Sequence, residues 1–179
     1  MKYIGSVVLL IIFVVASASA QTYKPAERVY KKTSQYVEEA FNGNVPKKET
    51  VWVIGELRDN INTVNAEYVG TPVRYRYWRQ GNKTVWVLEN IARTMLFTTG
   101  VTVENGMIED ISVLVYRETR GHEIQNRVHR AQFYGAKLND EIALDKPING
   151  ISGSTLSANS MKRMARIALL LHNDVTEDD

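Results

Sequence analysis

The chain of 179 residues is 44% hydrophobic and 23% charged, which is ordinary globular composition, and its length suits a single domain. Its 22 basic and 20 acidic residues give a formal charge of +2, too small to indicate a nucleic-acid partner. The absence of cysteine excludes disulfides, cysteine-ligated zinc, iron–sulfur clusters, thioether-linked haem and a lipid-modified cysteine anchor.

Residues 1–20 have the pattern of a secretory signal peptide. Lys2 gives a positive start, residues 7–15 are an unbroken apolar run, and Ala18-Ser19-Ala20 is a small-x-small cleavage site. A membrane anchor would need about 20 apolar residues, so the run is too short. We expect cleavage after Ala20 and a soluble periplasmic or otherwise exported protein, without stable membrane insertion of the mature chain.

Residues 21–90 are expected to form the N-terminal part of one α+β domain. Apolar residues at helical spacing predict a helix from about Thr33 and a second, short helix around Ile61. Strands are predicted at 50–54, in the alternating segment 73–77 and at 84–88. Three tryptophans fall in or beside these strands, where we expect core packing: Trp52, Trp78 and Trp86.

The rest of the sheet is predicted around a hairpin. Residues 94–103 are rich in β-formers, Asn105-Gly106 is a strong hairpin signal, and 107–116 is the return strand. An antiparallel sheet flanked by helices is therefore expected.

Beyond the sheet the pattern changes. Residues 122–134 predict a weakly amphipathic helix, a loop follows, and 156–171 predict a helix with one apolar stripe. Residues 173–179 are expected to be an acidic tail. His122 and His129 would share a helical face but lack a third ligand, so no metal site is expected.

The loop before the last helix carries the most informative chemistry. A helix N-terminus offers unpaired N–H groups and the positive end of the helix dipole, which together stabilise a phosphate. Gly153 would let a phosphate approach the backbone, and four hydroxyls surround it, those of Ser152, Ser154, Thr155 and Ser157. The same composition is also typical of a helix cap without a ligand.

This loop resembles a known family. ISGSTLS (151–157) is similar to the SGAT-type motif of the FMN-binding domain family, which includes FMN-carrying subunits of sodium-pumping NADH:quinone oxidoreductase and of Rnf complexes. YRETRG (116–121), and AQF (131–133) with Gly135 and Lys137, resemble stand-alone members of that family. The resemblance extends over about residues 98–171, within a segment 91–172 that would be the FMN-binding core.

The resemblance implies a site and its chemistry. FMN would be joined through its phosphate to the hydroxyl of Thr155, by a periplasmic flavin transferase that uses FAD as donor. The other implied contacts come from the loop and from two preceding segments: Ser152, Gly153, Ser154, Leu156 and Ser157, together with Glu118, Arg120 and Gln132. The family usually has Asp at position 149 and Ala at position 154, where this chain has Asn149 and Ser154.

The implied function is electron transfer outside the cytoplasm, in membrane-associated electron transport, between a protein electron donor and a protein acceptor. The chain would be an electron carrier rather than a stand-alone enzyme, and no catalytic residue is assigned. Two alternatives stay open. One is a flavin-dependent reductase of a small acceptor. The other is a cofactor-free binding module that kept the fold, for which Asn149 is the best argument.

Overall fold

The fold is built on a six-stranded antiparallel sheet. The computed structural model describes residues 27–65 and 70–177. The strands lie in the order β1-β6-β5-β4-β3-β2. Their bounds are Arg28–Val29 (β1), Lys48–Trp52 (β2), Arg74–Gln80 (β3), Lys83–Ile91 (β4), Leu96–Glu104 (β5) and Met107–Tyr116 (β6). The helices are Thr33–Ala40 (α1), Gly55–Asn65 (α2), a 3-10 turn His122–Gln125, Arg127–Ala131 (α3) and Thr155–Thr176 (α4). The predicted α+β class is confirmed, while the predicted signal peptide lies outside the described residues.

The β5–β6 hairpin follows from its two turn residues. Asn105 and Gly106 both have positive φ, 52° and 73°, the conformation that a two-residue turn of the primed type requires. Glu104 pairs with Met107 across the turn, so the predicted hairpin is confirmed.

One face of the sheet carries the main core. The apolar stripe of α4 packs on it, and every member of that stripe is fully buried: Met161, Met164, Ala165, Ala168 and Leu171. From the sheet, Trp86, Phe97 and Val101 are buried against this helix, and α2 adds Ile61 beside it. None of the described helices is long and apolar enough to cross a bilayer.

The other face is covered in part by α1. Tyr36, Val37 and Phe41 form a smaller buried cluster with Val85 and Leu114 of the sheet. A side chain at Gly100 would collide with the ring of Tyr36, so this position keeps α1 close to β5.

Polar side chains close the C-terminal end of α4. Gly106 N–H donates to Nε2 of the buried His172 at 3.1 Å, which makes Nδ1 the protonated nitrogen. Nδ1 then donates to Oγ1 of Thr84 at 2.8 Å, and the same oxygen accepts the indole N–H of Trp86 at 2.8 Å. Burial and nearby Arg79 lower the pKa of His172 to about 4, so its ring is neutral.

Several expectations need correction. Residues 122–134 form two short helices, because Asn126 is non-helical and its side chain caps α3 by accepting from Val128 N–H at 2.9 Å. His122 and His129 therefore do not share a helical face. Trp86 is buried as expected, but Trp52 is 57% exposed, because none of the described elements lies over the outer face of the edge strand β2. Helix α4 continues to Thr176, beyond its predicted end.

Candidate functional site

The turn that leads into α4 leaves the helix N-terminus open. Gly153 has φ +80°, a left-handed conformation that favours glycine, and open space surrounds its Cα on the side where a Cβ would stand. Ser154 is the N-cap residue, but its hydroxyl donates to Oε2 of Glu123 at 2.6 Å instead of capping the helix. The first N–H groups of α4 thus lack a side-chain acceptor, and the helix dipole presents its positive end here.

A cleft of about 340 Å³ lies in front of this helix N-terminus. Its lining comes from three segments: Arg93 from the β4–β5 turn, Arg120 and Gly121 from the segment after β6, and residues 153–157. Both arginines are exposed, and no carboxylate of the described residues lines the cleft. Two cations and unpaired N–H groups therefore converge on one space, while Leu156, 47% exposed, gives it an apolar wall.

Glu118 holds the turn that carries Arg93. Its Oε1 accepts backbone N–H groups from Arg93, Thr94 and Met95 at 3.0, 2.5 and 2.7 Å. Burial alone would raise the pKa of this carboxyl, but the three N–H donors outweigh burial and lower it. Glu118 is therefore a positioning residue: it lies behind the cleft and fixes the segment from which Arg93 enters it.

Tyr116 joins the end of β6 to the first turn of α4. Its hydroxyl donates to the carbonyl of Arg120 at 2.7 Å and accepts from Oγ of Ser157, also at 2.7 Å. A Cβ at Gly121, which has φ +87°, would collide with both hydroxyls. The YRETRG segment and the last helix are thus fixed to each other across the floor of the cleft.

The three hydroxyls that line the cleft differ in their surroundings. Ser154 and Ser157 are 2% and 4% exposed, and both are engaged in the hydrogen bonds just described. Thr155 is exposed, and its hydroxyl has no hydrogen-bond partner among the described residues. The geometry therefore distinguishes Thr155 as the hydroxyl that is accessible to a reagent.

Three predicted site residues do not line the cleft: Glu118, which positions the turn of Arg93, and also Gln132 and Ser152. Oε1 of Gln132 accepts the backbone N–H of Asn149 at 2.8 Å, so Gln132 fixes the start of the loop from behind. Ser152 is exposed in the turn before Gly153, outside the cleft lining. The predicted residues that line the cleft are Arg120, Gly153, Ser154, Thr155, Leu156 and Ser157.

Arg93 is the site residue that sequence reasoning missed. It lies in no motif, and only the pairing of β4 with β5 brings its turn to the N-terminus of α4. A signal was nonetheless present: Glu118, in the recognised YRETRG segment, needs hydrogen-bond donors if it is buried. Those donors are the backbone N–H groups of the turn that contains Arg93.

The histidines of the described residues do not form a metal site. In that part of the chain no three His, Asp or Glu side chains lie close enough together to hold an ion. His129 is buried behind the loop, 3.4 Å from the side-chain amide of Gln132 through Nδ1. Burial and the charge of Lys162 lower its pKa. His129 is therefore a neutral packing residue.

The fold is that of an α+β domain, and the cleft carries groups that favour an anion. Residues 94–170 match the model of the FMN-binding domain family, and the cleft lining, with two cations and an open helix N-terminus, fits the phosphate of FMN. This segment of the chain belongs to that family, which confirms the resemblance to the family, while the likeness to its stand-alone members stays a prediction. The protein is a flavin-binding protein, with FMN as the cofactor. A comparison with curated proteins gives no match.

Proposed function

We propose that the protein is an exported electron carrier whose FMN is joined by a phosphoester bond to Thr155. One observation supports this attachment point above the others. Of the three hydroxyls in the cleft, only Thr155 is both exposed and without a hydrogen-bond partner among the described residues. It is also the first residue of α4, beside the open N–H groups that favour a phosphate.

The attachment is a group transfer that balances with FAD as donor. The hydroxyl oxygen of Thr155 forms a bond to the phosphorus on the FMN side of FAD, and the bond to the bridging oxygen of the diphosphate breaks. AMP leaves, and the threonine hydroxyl loses its proton. The mass gain is that of FMN less water. A periplasmic flavin transferase is the proposed partner for this step.

The residues around the cleft then have defined tasks. Arg93 and Arg120 offset the negative charge of a phosphate, and Glu118 keeps Arg93 in place. FMN, when bound, accepts and releases electrons singly or in pairs. The covalent bond suits an exported carrier, because a cofactor lost outside the cytoplasm is not recovered from the cytoplasmic pool. The proposed donor and acceptor are other proteins.

The test is co-production of the full chain with a flavin transferase, followed by intact mass and in-gel flavin fluorescence after denaturation. We expect wild type to show cleavage after Ala20 and the mass of FMN less water. Thr155→Val should fold, export and lose the denaturation-resistant flavin completely, because it keeps the shape of threonine without the oxygen. Thr155→Ser should retain flavin.

Ser152→Ala is the matched control, since it removes an exposed hydroxyl of the same loop and should leave the bond intact. A flavin that survives denaturation in Thr155→Val would place the attachment elsewhere. Wild type that never gains the FMN mass beside a competent transferase would refute the covalent bond. Turnover of a small soluble acceptor by the loaded protein alone would favour a reductase over a carrier.

A further inference from the structure

The outer face of strands β2 and β3 has an unusual composition. The antiparallel register places Trp52 opposite Arg74, Thr50 opposite Arg76 and Lys48 opposite Trp78. Directly opposite residues in such a pair point to the same side of the sheet. Six side chains therefore share one surface, which we call the Trp–Arg face: Lys48, Thr50, Trp52, Arg74, Arg76 and Trp78.

No described element covers this surface. Helix α1 lies on the same side of the sheet, but its buried cluster reaches β4 and β6 through Val85 and Leu114. Of the face, only Trp78 packs against that cluster. Trp52 is 57% exposed, and Ile54, just beyond the end of the same strand, is 72% exposed. Large apolar side chains and cations thus stand together in solvent.

The face carries charge of one sign. Arg74 lies over the ring of Trp52 at 5.6 Å, and Lys48 over the ring of Trp78 at 4.6 Å. Among the described residues neither these two cations nor Arg76 forms an ion pair, and β2 and β3 place no carboxylate on this side, since Glu49 lies on the opposite side, against Tyr77. Glu89 of the next strand, β4, lies on the same side but is paired with Arg117. The three positive charges on these two strands exceed the formal charge of the whole chain, which is +2. Positive charge is therefore concentrated on this face.

We propose that the Trp–Arg face binds peripherally to an anionic phospholipid surface. Arginine and lysine would contact lipid phosphates, and the indole of Trp52 would lie at headgroup level, where amphipathic aromatic rings are favoured. The exposed aliphatic side chain of Ile54 favours lipid over nucleic acid or an acidic protein, because it can enter the hydrocarbon boundary and would add nothing to the recognition of polyanionic charge.

The topology gives this binding a consequence for the cleft. Trp52 ends β2 and Arg74 begins β3, at the same end of the sheet where β4 ends, β5 begins and β6 ends. That end also carries the turn with Arg93 and the first turn of α4. Because α4 packs on the opposite face of the sheet, binding through the Trp–Arg face would bring this end of the sheet to the lipid and leave the cleft on the side away from it. The binding itself needs no flavin, so it can fail or succeed independently of the attachment to Thr155.

The test is co-sedimentation of the mature full chain with vesicles of phosphatidylcholine, with and without phosphatidylglycerol. We expect binding only to the anionic vesicles, weakened by added salt. Loss of each cation should weaken binding about fivefold, so Arg74→Ala/Arg76→Ala should weaken it about 25-fold. The emission of wild type should shift to the blue on binding, and Trp52→Phe should abolish most of that shift, since Trp86 is buried throughout.

Arg127→Ala/Lys137→Ala is the charge-matched control, because both residues are exposed and lie on or just after α3, a region that packs against β6 and not against β2 or β3. It should weaken binding much less than the double variant on the face. Equal losses in the two double variants, or no binding to anionic vesicles, would overturn the proposal. Binding to single-stranded DNA with the same Trp52 shift and no binding to vesicles would also overturn it, in favour of a polyanion site.

Discussion

The two ends of helix α4 are built in opposite ways. At the C-terminal end His172 is buried, and both ring nitrogens are hydrogen-bonded, to Thr84 and to the hairpin at Gly106. At the N-terminal end the cap residue Ser154 turns away to Glu123, and the first N–H groups face a cleft with two arginines. One helix thus has a closed end and an open end.

At the closed end the hydrogen bonds of the polar groups contribute to stability. At the open end the N–H groups are left available for a ligand. A buried polar group without a partner is costly, so the closed end is complete within the protein. The N–H groups at the open end face solvent and can be hydrogen-bonded by water, so the lack of a protein acceptor costs little. A phosphate can then take the place of that water. What the protein does fix at the open end is the position of the surrounding segments, through Glu118 and Tyr116.

The largest effect should come from breaking the support of the open end. Glu118→Ala leaves three backbone N–H groups without their acceptor, and we expect the free energy of unfolding to fall by about 3 kcal/mol, measured by denaturant titration. Flavin attachment should fall as well, since Arg93 loses its position. Glu118→Gln keeps an acceptor oxygen and should lose about 1 kcal/mol. Equal losses in the two variants would mean that the hydrogen bonds to the turn contribute little.

Acid should destabilise the protein through the closed end of α4. The pKa of His172 is about 4 in the folded protein against an ordinary 6.5, so below pH 6.5 the unfolded chain binds a proton that the folded protein does not. Stability is therefore full above pH 6.5 and falls as the pH drops towards 4. The loss should be about 2 kcal/mol after allowance for solvent screening.

Comparison of wild type with His172→Asn isolates this effect from the titration of carboxylates. The variant should be less stable at neutral pH and lose less stability between pH 6.5 and 4 in denaturant titrations. Parallel pH profiles for the two proteins would show that the His172 contacts do not control the acid response.

A smaller effect distinguishes backbone strain from ligand access. Gly153→Val and Gly81→Val both place a branched side chain at positive φ, +80° and +56°, where no neighbouring atom obstructs it. Each should cost about 1 kcal/mol in unfolding free energy. Only Gly153→Val should also lower flavin content, because Gly81 lies in the β3–β4 turn. Unchanged flavin in Gly153→Val would move the cofactor away from this turn.

The smallest structural effect should follow from Asn149→Asp. The side chain is exposed, and in the described chain Asn149 contacts Gln132 and His129 through its backbone, so stability should change by less than about 0.5 kcal/mol. We expect a larger fraction of protein modified by the flavin transferase, measured by intact mass, because aspartate is usual in the family at this position. A smaller modified fraction would show that this chain does not depend on the usual carboxylate.

Sequence patterns predicted the helices and strands better than they predicted which residues are covered or brought together in the fold. Alternation and the Asn105-Gly106 turn gave the strands, and the apolar stripe gave α4, because these signals are local. The exposure of Trp52 was missed, since alternation tells which residues share a face but not whether another element covers it. Arg93 was missed for a related reason: its place depends on strand order. Gln132 was assigned to the cofactor from resemblance, whereas its side chain holds the backbone of Asn149.

The position of β5 inside the sheet has a consequence for how the protein can be divided. The family segment begins at Thr94, yet β5 pairs with β4 along its whole length, and nearly all of its residues are buried. Excision of residues 94–170 would convert a central strand into an exposed apolar edge, which favours aggregation. It would also remove Trp86 and Leu88 from beneath α4. The family segment and the folding unit therefore differ in extent, and the strands before Thr94 are part of the smallest piece that can fold.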